Sequence, residues 1–285
     1  MRIKLTPDRG LRVEKTRLNG VPTLILCPAE REPANVGLMW IHGGGFITGM
    51  KEMVYMSRAA DLVKQYGVTV YAPGYRLAWR KPYPAAVEDC YRVLEYMSKR
   101  GEPVMVGGES AGGGLCAAVC MMARDRGVHV AYQFPLYPML SNLDTESSRD
   151  NHGRIWNTRR NHLGWRLYLR EDAKKETVSP YASPSRQTDY ANLPPCYTFV
   201  GEGEPFYAET LQYVEDLRRA GVPAEVDVYP TNVHAFDMLY PEEAVSLQAI
   251  SAYPEIPPSS REEGLRLLHG LATNLATSLQ TPQEA

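Results

Sequence analysis

The sequence predicts an α/β fold with a mostly parallel central sheet, helices on both of its faces and a cap insertion. Near-continuous apolar runs, which are typical of strands buried on both sides, alternate with segments of helical spacing. The length of 285 residues suits a single α/β domain. The predicted strands cover residues 36–41, 68–72, 104–107, 130–134 and 197–201. Ligands of such sheets bind beyond the carboxyl ends of the strands.

The remaining elements follow in chain order. Two strands are predicted first, over residues 11–16 and 21–27, and one last, over residues 226–229. Helical spacing predicts helices over residues 55–66, 87–97, 113–123 and 207–217, the second of them opened by Pro84. Residues 139–180 break the alternation and predict a cap or lid within one catalytic domain over 1–285. A linker at 254–260 precedes a helix in which Ser260 and Glu263 have capping-box spacing.

The composition and net charge of the chain limit the kinds of molecule that the protein is expected to bind. The formal net charge of -2 is too small to attract nucleic acid. We expect no membrane span, because no run approaches the ~18 apolar residues required, and the amino-terminal residues do not resemble a secretion signal. The expected location is therefore the cytoplasm. The five cysteines are odd in number and form no Cys-x-x-Cys pair, so they are expected to be free thiols: Cys27, Cys90, Cys116, Cys120 and Cys196.

A Gly-x-Ser-x-Gly pattern lies between a predicted strand and a helix rich in small residues. Ser110 is its central residue, in Gly108-Glu-Ser-Ala-Gly112. In this context the pattern predicts a nucleophile elbow, where the serine occupies a strained turn. Gly108 and Gly112 would let the strand and helix approach closely. The adjacent helix amino end favours developing negative charge. Ser110 is the candidate nucleophile.

A glycine run follows the predicted strand over residues 36–41. It reads His42-Gly-Gly-Gly-Phe46 and leaves amide N–H groups unshielded, which is typical of an oxyanion loop. We predict Gly44, Gly45 and the N–H of Ala111 as donors to the oxyanion. The alternative is a flexible glycine turn with no chemical role. His42 itself is expected to orient the loop by hydrogen bonding and not to act as a base.

A serine nucleophile needs a base and a carboxylate, which in this type of fold follow it in the order acid, then histidine. Of the histidines that follow Ser110, His234 lies after a predicted strand and a short turn, whereas the others lie in the predicted cap, an apolar strand or the terminal helix. The acid should follow the preceding strand. Glu204 is the first candidate, Glu202 the second and Asp237 a distant third.

The chain resembles the bacterial hormone-sensitive lipase-like esterases, which have the α/β-hydrolase fold. The resemblance rests on blocks in the family's order: 42–46, Tyr75-Arg-Leu-Ala78, Pro84-Ala-Ala-Val-Glu-Asp89, 108–113, Ser179-Pro-Tyr-Ala-Ser-Pro184 and His234-Ala-Phe236. It implies hydrolysis of short acyl esters, acetyl esters of sugars among them, by Ser110, His234 and Glu204 without metal or organic cofactor. It also suggests a homodimer formed through an edge strand at residues 225–229.

The chain departs from the family at several places. Glu204 replaces the usual aspartate, Gly74 replaces an aspartate and leaves Arg76 in need of another partner, and Trp79 replaces a proline. The forty residues before His42 leave no room for the two-helix amino-terminal cap. The pocket is then either more open or covered by residues 139–170 alone.

Two matters stay open at the level of sequence. The aromatic residues of the cap either line an alcohol-side pocket or pack the cap: Trp156, Trp165 and Tyr168. The same triad would also serve an amidase or peptidase. A small-molecule receptor of this family would lack the histidine that His234 provides.

Overall fold

A computed structural model describes residues 5–174 and 177–252, and the predicted linker, capping box and terminal helix beyond residue 253 lie outside them. The strands are β1 (Leu11–Leu18), β2 (Val21–Pro28), β3 (Gly37–Ile41), β4 (Thr69–Pro73), β5 (Val104–Glu109), β6 (Tyr132–Leu136), β7 (Cys196–Gly201) and β8 (Ala224–Tyr229). The α-helices are α1 (Arg58–Tyr66), α2 (Ala85–Ser98), α3 (Ala111–Asp125), α4 (Thr158–Leu169), α5 (Tyr207–Arg219), α6 (Phe236–Leu239) and α7 (Ala244–Ala252). Short 3₁₀ helices cover Lys51–Met56, Arg170–Lys174 and Pro184–Arg186.

All the described strands form one sheet in the order β1-β2-β4-β3-β5-β6-β7-β8. The β1–β2 and β2–β4 pairs are antiparallel, and every other pair is parallel. The expected mostly parallel sheet is therefore confirmed. Because β3, β5, β6, β7 and β8 run in one direction, the loops that follow them meet at the same edge of the sheet.

Helices cover both faces of the sheet. Side chains of α2 and α3 belong to the apolar cluster on one face, and those of α1 and α7 belong to the cluster on the other. Helix α3 is buried from Ala111 to Ala123, which its small residues permit. Cys116 and Cys120 on this helix are buried free thiols, as expected.

The excursion between β6 and β7 contains the residues predicted to form the cap. It carries α4, whose amino end is capped by the Asn157 side chain accepting a hydrogen bond from the Arg160 N–H. The described residues before β3 form the β1–β2 hairpin and no helix. Any cover that the described chain gives the site therefore comes from the β6–β7 excursion.

Several predicted boundaries differ from the structure. Strand β6 begins at Tyr132 rather than at residue 130, and His129 is an exposed loop residue rather than part of the strand. The predicted helix over residues 55–66 is divided, because Ser57 caps α1 and ends the preceding 3₁₀ helix. Pro84 is the cap residue of α2, one position before its first helical residue.

Candidate active site

Ser110 lies at the sharp turn between β5 and α3. Its backbone has φ 59° and ψ −120°, a left-handed conformation that costs a residue with a side chain about 1–3 kcal/mol. The surrounding structure holds this turn, because the Ser110 N–H donates to the Leu136 carbonyl and the Met139 N–H donates to the Ser110 carbonyl. A Cβ at Gly112 would lie 2.0 Å from the Ile41 oxygen, and one at Gly108 would lie 2.6 Å from it. Both glycines are required for the close approach of strand and helix.

Three side chains from three loops form one hydrogen-bonded series. His234 Nε2 lies 2.8 Å from Ser110 Oγ, and His234 Nδ1 pairs with Glu204 Oε2. The second carboxylate oxygen, Glu204 Oε1, accepts from the Gly201 N–H at 2.7 Å. All three side chains are buried. This order of groups suits proton transfer from the hydroxyl to the imidazole, with the carboxylate beside the developing positive charge.

The imidazole of His234 is enclosed by aromatic rings. Tyr137 and Phe206 meet it edge to face, at centroid distances of 5.2 and 5.0 Å. Tyr137 has a positive φ of 33°, and its hydroxyl donates to Asp237 Oδ1 at 2.9 Å. Asp237 also lies 3.8 Å from Arg58 Nε. Asp237, the third candidate for the acid, thus contacts Tyr137 and Arg58, and in this structure the imidazole pairs with Glu204.

The glycine loop after β3 lies beside the serine. A Cβ at Gly43 would lie 3.2 Å from the Ser110 Cβ, which shows how near the loop passes. Gly44 and Gly45 have φ values of 111° and 60°, conformations that glycine adopts readily. Within the described chain, the N–H groups of Gly44, Gly45 and Ala111 donate to no other group. They are therefore available to an oxyanion.

His42 is the residue before the glycine loop and is not part of the hydrogen-bonded series of Ser110, His234 and Glu204. Its Nδ1 is 2.8 Å from the Gly43 carbonyl, and its ring stacks on Tyr75 at 4.2 Å. The Tyr75 hydroxyl donates to the His42 carbonyl. Burial lowers the pKa of His42 to about 4, so the ring is neutral at neutral pH. These contacts suit the predicted orienting role.

Glu109 precedes the serine and is buried behind the site. Neither of its carboxyl oxygens has a hydrogen-bond partner among the described residues. Burial, and then the charge of Asp237, raise the pKa of Glu109 to about 8. Glu109 is therefore protonated near neutral pH, which avoids the cost of a buried unpaired charge. In the sequence, Glu109 is the variable position of the Gly-x-Ser-x-Gly pattern, so no motif marks it.

Aromatic residues of the segment predicted to form the cap pack on the glycine loop. A Cβ at Gly45 would lie 2.1 Å from Cη2 of Trp156, so the indole lies directly on this glycine. Phe46 stacks on Tyr168 at 4.0 Å and meets Trp165 at 5.2 Å. Trp165 and Tyr168 are buried and serve cap packing, whereas Trp156 is only half-buried. Of these three aromatic residues, Trp156 is the one that lies against Gly45 of the glycine loop.

The second candidate for the acid and the remaining histidines are not part of the hydrogen-bonded series of Ser110, His234 and Glu204. Glu202, the second candidate for the acid, is exposed. His152 pairs with Asp150, and His162 pairs with Asp144, both on the cap. His269 lies outside the described residues.

Asp89 is the partner that the sequence did not assign to Arg76. It accepts from Arg76 Nε at 2.7 Å, from Nη2 at 2.8 Å and from the backbone N–H at 3.0 Å. The carboxylate comes from α2, so Arg76 has an acidic partner although Gly74 supplies none.

Over residues 5–174 and 177–252 no group of three or more His, Cys, Asp or Glu side chains is placed to hold a metal ion. No helix in the same ranges is long and apolar enough to cross a lipid bilayer.

The sequence and the fold of the chain are similar to those of known esterases. The family model described as alpha/beta hydrolase fold matches residues 38–238. Esterase LipI of Mycobacterium tuberculosis is 32% identical over 235 residues, covering 78% of this chain and 70% of that protein. An arylesterase of Saccharolobus solfataricus is 31% identical over 244 residues, covering 81% and 76%. The structure of a bacterial heroin esterase superposes with a TM-score of 0.81 at 32% identity, covering 88% and 84%.

Proposed function

This chain belongs to the hormone-sensitive lipase-like esterases of the alpha/beta hydrolase fold and is a carboxylic ester hydrolase, and we propose that it hydrolyses short-chain acyl esters through a Ser110–His234–Glu204 triad. The observation that carries the proposal is the continuous pairing of hydroxyl, imidazole and carboxylate at the carboxyl ends of β5, β8 and β7. Each group has the neighbour that acyl transfer requires.

In the first step, Ser110 Oγ attacks the ester carbonyl carbon while its proton passes to His234 Nε2. The carbonyl oxygen becomes an oxyanion, which the N–H groups of Gly44, Gly45 and Ala111 stabilise. Glu204 holds Nδ1 and lies beside the imidazolium. When the tetrahedral intermediate collapses, the bond to the alcohol oxygen breaks and His234 gives that oxygen its proton. The products are a free alcohol and an acyl group on Ser110.

In the second step, water replaces the alcohol. His234 accepts a proton from the water as its oxygen attacks the acyl carbon, and the same N–H groups stabilise the second oxyanion. The Ser110 oxygen leaves and recovers its proton from His234. The carboxylic acid departs and the enzyme returns to its starting state, so this route needs neither metal nor organic cofactor.

A short acyl group is favoured by the packing around the oxyanion loop. The Trp156 indole lies on Gly45, and the Phe46 ring beside it is fixed by Tyr168. A long acyl chain that extended past Gly45 would have to displace the indole. We therefore expect rates with acetyl and propionyl esters to exceed those with octanoyl esters, and replacement of Trp156 by Ala to reduce that preference.

The test is a series of p-nitrophenyl esters from acetate to decanoate, with the Ser110→Ala variant as control. We expect the wild-type kcat/KM to be greatest at two to four carbons and Ser110→Ala to reduce kcat at least about 10³-fold. An alanine variant with near wild-type rates would refute the triad. A maximum at eight or more carbons would refute the short-chain assignment while leaving the triad standing.

A further inference from the structure

The backbone on either side of His234 gives its imidazole little support. Within the described chain, neither the N–H nor the carbonyl of His234 makes a hydrogen bond. The next residue, Ala235, has a left-handed φ of 57°, and α6 begins only at Phe236. Hydrogen bonds at Nδ1 and Nε2 hold the two ring nitrogens but do not prevent rotation of the ring about the line between them. The plane of the ring therefore depends on neighbouring side chains.

Two aromatic rings restrict that rotation. Tyr137 and Phe206 stand nearly perpendicular to the imidazole, with interplanar angles of 80° and 79°. Tyr137 is itself attached to the central sheet, because its N–H donates to the Phe199 carbonyl at 2.9 Å and its ring meets the Phe199 ring at 5.3 Å. Of the two rings, only that of Tyr137 carries a hydroxyl group that can be held by a hydrogen bond.

The hydroxyl of Tyr137 is held by Asp237. It donates to Asp237 Oδ1 at 2.9 Å, and Asp237 is buried three residues after His234 in the chain. The other carboxylate oxygen, Oδ2, lies 3.8 Å from Nε of Arg58, which is also buried and pairs with Asp61. A hydrogen bond from a hydroxyl to a carboxylate is stronger than one between neutral groups. The Tyr137 ring is thus tied to the same short segment that carries His234.

We propose that Tyr137 and Asp237 are positioning residues, which together hold the plane of the His234 imidazole in line with Ser110 Oγ and with the departing alcohol oxygen. The inference rests on the proposed esterase function and deepens it. When the ring rotates, the direction of the Nε2–H bond turns with it, so a loosened ring is a poorer proton donor to the alcohol oxygen. Neither residue takes a proton or touches the reacting atoms in this role.

The experiment compares two acetates that need the proton of His234 to different degrees. Ethyl acetate releases an alkoxide that must be protonated as it leaves, whereas p-nitrophenyl acetate releases a phenolate that is stable without a proton. For Tyr137→Phe we expect kcat/KM to fall about tenfold with ethyl acetate, part of the ~100-fold that a displacement of ~1 Å can cost, and by a smaller factor with p-nitrophenyl acetate. A defect of folding alone would lower both values equally and leave their ratio unchanged.

Asp237→Asn tests the other end of the same hydrogen bond, because it keeps the size of the side chain and removes its charge. We expect the ratio of the two kcat/KM values to change in the same direction as in Tyr137→Phe. The double variant should change it no further than the larger single change, since both act through one contact. Tyr197→Phe is the matched control. It removes a hydroxyl that donates to Asp227 Oδ2 at 2.8 Å near the opposite end of β7, and it should keep the wild-type ratio.

The possible outcomes separate the inference from the proposed function. A wild-type ratio in Tyr137→Phe or in Asp237→Asn, or a double variant whose change is the product of the two single changes, would overturn the positioning role while the enzyme remains an esterase. If wild type hydrolyses neither acetate, the proposed function fails and the inference fails with it.

Discussion

Glu204 is the residue at which this chain departs from the aspartate usual in the esterases that it resembles. Its longer side chain reaches two groups at once, the Gly201 N–H through Oε1 and His234 Nδ1 through Oε2. An aspartate is shorter by one methylene and, with the backbone unchanged, loses one of these contacts. The side chain of a glutamate therefore has the length that the backbone of the turn after β7 requires.

We expect Glu204→Gln to reduce kcat about 10³-fold to 10⁴-fold, because a neutral amide neither stabilises the imidazolium nor holds Nδ1 as the protonated nitrogen. Glu204→Asp should keep a larger share of the rate than Glu204→Gln, since the charge is retained. Steady-state kinetics with p-nitrophenyl acetate measure both. Glu202→Gln, two residues away and exposed, is the control and should keep the wild-type rate. Equal rates for Glu204→Gln and wild type would contradict the assignment of the acid.

Glu109 makes stability depend on pH. Its pKa of about 8 in the folded protein lies above the ~4.3 of an exposed glutamate. The folded state therefore keeps a proton that the unfolded chain releases between these values. With respect to this group, the free energy of unfolding should be highest below about pH 4, where both states carry the proton, and should fall as pH rises from there to about 8. Asp237, whose pKa burial also raises, acts in the same direction.

Glu109→Gln should reduce this dependence, because the amide is neutral throughout. We expect urea unfolding at pH 5, 6.5 and 8 to show a smaller loss of stability for the variant than for wild type. The slope due to Glu109 alone is at most about 1.4 kcal/mol per pH unit. Glu202→Gln serves again as the control on an exposed site. Parallel curves for wild type and Glu109→Gln would show that Glu109 does not hold a proton in the folded state.

The sequence could predict which side chains meet at the site but not the residues that surround them. Ser110, Glu204 and His234 follow from motif and order along the chain, and the structure brings them into contact. The neighbours Tyr137 and Trp156 have no local motif. Tyr137 contacts His234 across 97 positions only because β6 and β8 end at the same edge of the sheet. The sequence does carry one indication for Tyr137, namely its position directly after a predicted buried strand.

At the scale of elements, helix α4 packs on the glycine loop over residues 43–45. A Cβ at Gly164 would lie 3.0 Å from the Gly45 carbonyl oxygen and 3.6 Å from Trp156 Cζ2. The Phe46–Tyr168 stack fixes the same two elements at a second point. The two contacts hold the helix and the loop together, so the position of α4 affects the position of Gly44 and Gly45, the proposed donors to the oxyanion.

Gly164→Val tests this coupling. The added side chain must push α4 away from Gly45, and a displacement of about 1 Å at catalytic groups can cost about 100-fold in rate. We expect kcat for p-nitrophenyl acetate to fall at least about tenfold. Leu163→Val, a β-branched substitution on the adjacent and more exposed position of α4, controls for helix propensity. If both variants keep wild-type kcat, α4 does not position the loop.

Strands were easier to predict than helix boundaries. Apolar runs identified the inner strands β3 to β7, because burial on both faces leaves a continuous pattern, whereas the outer strands β1 and β8 carry charged residues among the apolar ones. The division before α1 was missed because Ser57 caps that helix in the middle of a sustained apolar periodicity. The start of β6 was placed early because Val130 and Ala131 are buried outside the strand.

At the scale of the whole molecule, the pattern of apolar residues in the sequence predicts how many strands there are but not their order in the sheet. The order places β8 at one end of the described sheet and β1 at the other. The two edges differ in the number of charged residues. The β1 edge carries Arg12, Glu14, Lys15 and Arg17, whereas the β8 edge carries two, Glu225 and Asp227, beside Val228, which is 42% exposed. Charged residues at a sheet edge resist pairing, so the β8 edge resists it less.

We therefore predict a homodimer in which two β8 strands pair antiparallel about a two-fold axis and extend the sheet across both chains. Light scattering coupled to size exclusion should give twice the mass of one chain. Val228→Lys should yield monomers, because two lysines would face each other near the axis, while Thr16→Lys on the β1 edge should stay dimeric. A wild-type monomer at micromolar concentration, or a Val228→Lys dimer, would show that the β8 edge does not pair. Catalytic rates should persist in the monomer, since every group of the triad comes from one chain.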